Sequence, residues 1–528
     1  MRKMMYGFLL LILSSFLVIG CTNQGSDKTS GENNSPDSKQ VEAPEIRVAI
    51  NAQPTSLDPH MTTASMTSAV SRNIFETLVT INSNYEPVPM LAESVDISED
   101  QLNYTFSLRK GVKFHNGKEL NAEDVVASMA RWLEKSAIAQ KSLGEGALFT
   151  VKDDYTVVLQ LKEVSTGVLN AMSTAKQLAA IYPKEVIESA DSSDNIKEFI
   201  GTGPFKFEEW KQDQYIHLTK FDDYVGIEAS PDGMSGEKNP KVKDLYFDVV
   251  TDPTIRLSGL QTGLYDIAMN IQPEHYEQVK NSKNAKALTD QRTYLILNFN
   301  KKEGPLANVK LRQAISAALD LNSIMYGSFG NEEIYDIYPG FMKMDQKFYS
   351  DAASEYFNQK NPELAKKLLK EAGYNGEEIV LMTSRDYDHF YQAATIIQQQ
   401  LQEIGMKIKL DVYDWPTFLD LENKSDKWHM ETTGYTTWIT PAENIIFNSN
   451  SPGWTSDPSL DEIISSIKSS SSDEELQTKY DALQEFLLRD YVPGVKLGNY
   501  ADIYGVNNNV VDFSTHEGMI LWNIGLKE

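Results

Sequence analysis

Cys21 is the only cysteine in this chain of 528 residues. Everything after it must fold without a disulfide, a thiolate metal site or a thiol nucleophile. A chain that cannot be stapled has to be held by a large apolar core, and 41% of its residues are apolar, with 21 Phe, 25 Tyr and 7 Trp. The length that remains suits two to four domains.

The position of the cysteine is as informative as its isolation. Arg2 and Lys3 precede an apolar run from Phe8 to Ile19 that ends in Gly20, the layout of a secretory signal peptide over residues 1–20. The run is shorter than the about 20 apolar residues of a membrane span. Residues 22–43 contain no aromatic and one branched aliphatic, Val41. Too little apolar area is available there to offset the entropy of ordering, so residues 21–44 are expected to be a flexible tether.

Alternating periodicities run through the body. In EIRVAIN, Ile46, Val48 and Ile50 share one side of a strand; in NYTFSLRKGVKF, Tyr104, Phe106 and Leu108 do the same. The latter stretch reads as strand, Lys110-Gly111 turn, short second strand and Asn116-Gly117 turn. YTVVLQL is a third strand, with Tyr155, Val157, Leu159 and Leu161 on one face. Asn121 is placed to cap a helix whose stripe is Val125, Met129, Trp132 and Leu133. Asn361-Pro362 opens a helix that ends before Gly373, and IIQQQLQEIGMKIKLDVY reads as helix, Gly405 stop and strand. SSIKSSSSDEEL, residues 465–476, reads as a loop capping the next helix. This is a mixed α/β pattern.

Charge and motif content remove several functions. The formal net charge is −26, which repels nucleic acid and anionic lipid surfaces. There is no Gly-x-Ser-x-Gly elbow, His-Glu-x-x-His pair or phosphate loop, and the seven histidines are scattered. GTGPFKF at 201–207 has two glycines of a dinucleotide fingerprint but reads as a turn. Carboxylate pairs such as Asp222-Asp223 read as solvated faces. No catalytic residue, metal or cofactor is expected.

The order Val18-Ile19-Gly20-Cys21 resembles a bacterial lipoprotein box, which implies cleavage before Cys21 and a lipid on its sulfur. AESVDISEDQLNYTFSLRKGVKFHNGKELNAEDVVASM (92–129) resembles the signature of the peptide/nickel class of extracytoplasmic solute-binding proteins, which serve ABC importers. TSLDPH, FETLV, GTGPFKFEEW, DPTIRLSGLQTGLYDIA, LNFNKKEGPLANVKLRQAISAALD, AKKLLKEAGY and SPGWTSDPSLDEII follow in that family's order. The resemblance implies a periplasmic-binding-protein-like α/β clamshell of two lobes with an extra inserted domain. Domain I would comprise 45–82, 202–297 and 500–528, domain II 83–201, and domain III 298–499. It implies a monomer, lipid-anchored on the outer face of the cell membrane, that hands a small solute or short peptide to a membrane permease without transforming it. The rivals are a binder of metal chelates or glycosides, a secreted hydrolase, and a surface adhesin or sensor.

The same resemblance points to binding residues. TSRDYDHFYQAA places Arg385, with Tyr387, where dipeptide-binding members grip a carboxylate; the alternative is a surface arginine paired to Asp386 or Asp388. In HMETTGYTTWITPAENIIF, Trp438 or Thr440 stands where peptide binders carry an aspartate for the ligand's amino group, so a free amino terminus needs another acceptor, with Glu443 one candidate. Tyr435 and Trp438 either stack on the ligand or are core aromatics. In the nickel branch an arginine accompanies a metal chelate from the segment matching 171–187, where no arginine occurs. Met61 and Thr62 are expected on the opposite wall, and Asp58 is expected to fix the turn before them.

Overall fold

The computed structural model describes residues 44–190, 196–437, 445–447, 449–470 and 472–527. The strands are β1 (Glu45–Ile50), β2 (Val79–Ile81), β3 (Pro87–Pro89), β4 (Ala92–Ile97), β5 (Asn103–Leu108), β6 (Leu148–Asp153), β7 (Thr156–Gln160), β8 (Phe205–Lys211), β9 (Tyr215–Lys220), β10 (Asp244–Val249) and β11 (Ile267–Ala268). They continue with β12 (Ala285–Phe299), β13 (Tyr335–Asp336), β14 (Glu378–Ser384), β15 (Lys407–Tyr413), β16 (Met430–Thr436) and β17 (Gly494–Asn507), before short C-terminal strands.

One large mixed sheet has the order β15-β14-β16-β12-β17-β11-β1-β10-β9-β8, with β13 on β17. Its two ends, the β14 half and the β1 half, are joined by the long antiparallel pair β12–β17. Ala285–Asp290 pair with Asn507–Asp502, the register breaks between Asp290 and Thr293, and pairing resumes at Thr293 with Tyr500. A bulge therefore sits where the two halves meet, and an unpaired insertion there weakens the ladder and adds local twist.

The reason β1 belongs at the centre of its half is legible in its side chains. Ile46, Val48 and Ile50 are fully buried, as predicted, but so is Ala49 between them. The first three pack with Phe205 and Phe247, while Ala49 faces Leu260 and Ile271. Parallel neighbours β10 and β11 flank β1, and a strand in parallel pairing is covered on both faces.

A separate antiparallel sheet, β4-β5-β7-β6, carries its own core. Tyr104, Phe106, Leu108, Val157 and Leu159 are buried on it beneath Val125, Met129 and Trp132 of the helix Ala122–Lys135. That helix starts with a capping box: the Asn121 side chain accepts from the Glu123 and Asp124 amides, and Asp124 reaches back to the Asn121 amide. Leu133, the fourth residue of the expected stripe, is only half-buried.

Three local expectations change. The short strand after Gly111 shrinks to one bridge, Lys113 to Glu119, because Phe114 and Gly117 already close the Asn116-Gly117 turn through N–H bonds to the Lys118 and Phe114 carbonyls. Gly201 and Gly203 do more than turn the chain: Gly203 donates to the Ile74 carbonyl at 2.9 Å. A Cβ at either glycine would lie 2.1 or 2.6 Å from a carbonyl oxygen of Ile74 or Asn73. The serine-rich loop is shorter than expected, since Pro458–Lys468 is helical and Ser472 caps Asp473–Glu485. Among the described residues no helix is long and apolar enough to cross a membrane.

Candidate functional site

Open α/β sheets present ligand crevices outside the carboxyl ends of their strands. Here a cavity of ≈590 Å³ lies against such ends from both halves of the large sheet. From the β1 half come Asn51, Thr251 and Asn270, each one or two residues beyond the ends of β1, β10 and β11. From the β14 half come Asp386, Tyr387, Asp388 and His389, after β14, and Trp415, after β15. Tyr500 and Asp502 of β17 form its floor. A volume in this range suits a small organic solute.

The wall is aromatic and acidic. His389 stacks on Phe329 at 5.3 Å and lies 5.0 Å from Tyr500, while Tyr387 stands edge-on to Trp415 at 4.8 Å. Burial pushes the His389 imidazole down to about 4, so it is neutral at pH 7, and its Nε2 has no hydrogen-bond partner. The Arg256 guanidinium is held by the carbonyls of Met269, Val250, Thr251 and Asn270, and burial lowers its pKa. Asn270 has φ of 50°, a left-handed conformation that asparagine tolerates better than most residues.

A smaller cavity of ≈100 Å³ lies beside the bulge. Arg72, Lys176, Arg292 and Glu517 line it, with hydroxyls from Thr63, Ser65, Ser68 and Thr436. Arg292 bonds Asp502 at 3.1 Å and lies 3.7 Å from Asp290. Burial opposes its charge, but Asp502, Tyr504 and Asp290 outweigh that and hold it protonated. Arg72 is pushed down to about 10 by burial and by Arg292, and its Nη1 is buried without a partner. Lys176 donates to the Thr437 carbonyl, a contact between the segment after the helix Val168–Ser173 and the residue that follows β16. This cavity has room for one small anionic group. The Arg292–Asp502 pair thus separates a cationic chamber from an acidic, aromatic one.

The expected residues fall unevenly around these chambers. Tyr387 lines the larger one and is 39% exposed. Arg385 is exposed nearby but lines neither. Its guanidinium sits 4.5 Å from the Tyr391 ring and donates to Tyr391 Oη at 3.0 Å, pairing with neither Asp386 nor Asp388. Asp386 instead accepts the Trp415 amide at 2.7 Å. Tyr435 packs its ring 6.1 Å from Tyr294 in a neighbouring core. Met61 and Thr62 are half-buried on the loop after β1, and their neighbours Thr63 and Ser65 line the cationic chamber. Trp438, Thr440, Glu443 and Cys21 lie outside the described residues.

His389, Trp415, Asp502, Arg72, Lys176 and Arg292 were missed by sequence reasoning. One signal was available: Asp290 and Arg292 are an acidic and a basic residue two positions apart, just before the apolar run Tyr294-Leu295-Ile296-Leu297, and they flank the bulge. Other cavities are less suited. One of ≈730 Å³, lined by residues such as Ser83, Pro231, Asp512 and Trp522, takes no wall from the β14 half, and one of ≈350 Å³ lies by Tyr104 and Phe348, away from the parallel strand ends. Among the described residues no cluster of three or more His, Cys, Asp or Glu has metal-site geometry.

These features coincide with relationships to known proteins. The family described as bacterial extracellular solute-binding proteins, family 5 Middle, matches residues 86–457. A probable peptide ABC transporter periplasmic-binding protein of Sinorhizobium fredii, y4tO, is 28% identical over 390 residues, 72% of each chain. Oligopeptide-binding protein AppA of Bacillus subtilis is 26% identical over 552 residues, 98% of this chain and 96% of AppA. The structure of AppA with a nonapeptide matches with a TM-score of 0.74 at 24% identity, covering 92% of this chain and all of that one. The ABC transporter substrate-binding protein CtaP of Listeria monocytogenes gives 0.80 at 23% identity, covering 92% of this chain and all of CtaP. The fold is the expected α/β clamshell, and the chain belongs to the family 5 bacterial extracellular solute-binding proteins.

Proposed function

We propose that this chain is the substrate-binding lipoprotein of an ABC importer and that its cargo is a short peptide or peptide-like compound. The observation that carries the reading is the ≈590 Å³ cavity, whose walls come from the strand ends of both halves of the sheet. A solute touching both walls has differential affinity for the closed arrangement, and that difference is what shifts the population toward it. The β12–β17 bulge is the natural hinge, since pairing is broken there between Asp290 and Thr293. The proposal keeps the domain limits read from the sequence: 45–82, 202–297 and 500–528 in domain I, 83–201 in domain II, and 298–499 in domain III. Arg385 reaches the ligand's carboxylate from the rim by leaving Tyr391, and Met61, Thr62 and Tyr387, with Trp438 and Thr440 as sequence candidates outside the described residues, complete the contacts, while Tyr435 backs the wall from its packing against Tyr294. A guanidinium suits that task because two parallel hydrogen bonds fix both charge and orientation.

Capture requires no bond to be made or broken, so cargo is expected to leave unaltered. Native mass spectrometry of the purified protein, followed by denaturing release, should recover short peptides of unchanged mass, and adding them back should raise the melting temperature with concentration. Recovery of a metal chelate or a sugar would replace the peptide assignment, and turnover of the cargo would replace the transport assignment.

The names of the relatives, oligopeptide-binding and peptide-transporter components, support the cargo class. For the anchor, the support is the lipoprotein-like order Val18-Ile19-Gly20-Cys21. Replacing Cys21 with serine should move the protein from the membrane fraction to the soluble extracytoplasmic fraction while leaving solute affinity unchanged. A Cys21→Ser protein that has lost residues 1–20, checked by its mass, and still stays with membranes would sink the lipid assignment; an uncleaved apolar leader, Phe8 to Ile19, would itself hold the chain there.

A further inference from the structure

We propose that the aromatic and acidic chamber is an amine subsite, in which a protonated amino group of the solute sits against Tyr387 and His389 with Asp388 and Asp502 as counter-charges. This rests on the solute-capture reading above and adds the chemistry of the captured group.

The wall's charge makes the first argument. Three carboxylates, those of Asp386, Asp388 and Asp502, line the chamber against one guanidinium, Arg256. Arg256 is committed to four backbone carbonyls. Asp386 is partly committed to the Trp415 amide, and Asp502 shares its charge with Arg292 at 3.1 Å. The Asp388 carboxylate makes no hydrogen bond or ion pair among the described residues. An anionic group entering here would be repelled, whereas an ammonium would meet an unspent carboxylate.

The rings make the second argument independently. Phe329, Tyr387, His389 and Tyr500 line the same space, with His389 and Tyr500 stacked on Phe329 at 5.3 and 5.2 Å. Ring faces attract a cation held within about 6 Å, and the attraction grows when water is excluded. His389, kept neutral by burial, adds a ring to this wall without adding a positive charge that would repel an ammonium. Asn51, Asn270 and Gln272, from the other half of the sheet, offer amide oxygens to its N–H groups.

The counter-charges come from two elements, Asp388 at the start of the helix after β14 and Asp502 on β17. An alkylammonium reaches the subsite either as a chain terminus or as a lysine side chain.

Equilibrium dialysis of the purified full chain against three tripeptide pools, read by mass spectrometry, tests this. One pool lacks lysine and arginine and has free amino termini, the second is the same pool N-acetylated, and the third is N-acetylated but contains lysine. The first or the third should be retained about tenfold or more over the second, and which of them is retained names the source of the amine. Asp388→Asn and Tyr387→Leu, both at exposed positions, should each lower that retention about tenfold without shifting the melting temperature of the free protein. Equal retention of the amine-free pool overturns the subsite and leaves solute capture standing. Selective retention that neither substitution alters overturns its location. Retention of none of the pools overturns the peptide reading and the subsite with it.

Discussion

Replacing Asp58 with alanine should destabilise the protein by about 3–5 kcal/mol, the usual result of removing one partner from a buried ion pair. Asp58 is fully buried on the loop between β1 and the helix Ser65–Ser71. It accepts hydrogen bonds from Arg131 Nη1 at 3.1 Å, Arg131 Nη2 at 2.6 Å and the Ile196 amide at 2.9 Å. Burial pushes its carboxyl up, but Arg131, His60 and the Ile196 amide outweigh burial and hold it below the usual range. Arg131 lies on the helix that covers the four-stranded sheet, so this pair ties the loop bearing Met61 and Thr62 to the inserted module. Asp58→Ala leaves the guanidinium buried without its carboxylate. The double variant Asp58→Leu/Arg131→Met should recover much of the loss, because both charges are then gone together. Urea denaturation of the three proteins measures this, and a single variant within about 1 kcal/mol of wild type would show that other groups neutralise Arg131.

The turn role expected for Asp58 is real but small beside that pair: its backbone carbonyl takes the Met61 amide at 3.2 Å, and its carboxylate takes the His60 amide at 3.2 Å. The contrast shows what sequence could and could not reveal. Local rules found β1, β5, the Asn121 cap and the helix Pro362–Glu371, because each depends on residues within a few positions of one another. The partner of Asp58 is 73 positions away, and no local pattern distinguishes Arg131 from a solvated arginine. The same holds for Glu76 and Lys238, buried together at 3.1 Å across 162 positions. The candidate site is harder still. Its larger chamber gathers side chains from five strand ends, and only Tyr387 among them was singled out, through family resemblance and not periodicity. Asp388 entered only as a possible ion-pair partner of Arg385, and nothing local marked His389 or Asp502. What changes their meaning is the β12–β17 crossing, which brings Asp502 and Arg292 between the two chambers.

Acid should weaken the fold through His60, and His60→Gln should remove that part of the pH dependence. His60 is fully buried, with Nε2 2.9 Å from the Ala180 carbonyl, so Nε2 carries the proton and Nδ1, which has no partner, carries the lone pair. A second proton would create an N–H without an acceptor and a cation near Arg131. Burial is the main cause of a pKa pushed down to about 4, and Asp58 opposes the shift without cancelling it. The unfolded chain has the ordinary value of about 6.5, so between 6.5 and 4 it binds the proton that the folded chain refuses. The contribution of His60 is therefore present above pH 6.5 and lost as pH falls toward 4, at about 1.4 kcal/mol per pH unit and about 3 kcal/mol across the window. His115 and His389, also pushed down by burial to about 4, act in the same direction with smaller effect where solvent reaches them. Buried carboxyls act oppositely: burial raises Glu422 to about 7 and Glu431 well above the usual range, so acid favours their folded forms. The whole-protein profile mixes these signs, but the difference between wild type and His60→Gln does not. In urea titrations at pH 7.5 and 4.5, the variant should gain on wild type by about 2–3 kcal/mol at the lower pH. Parallel losses in the two proteins would mean that His60 accepts its proton without opening the structure around Arg131.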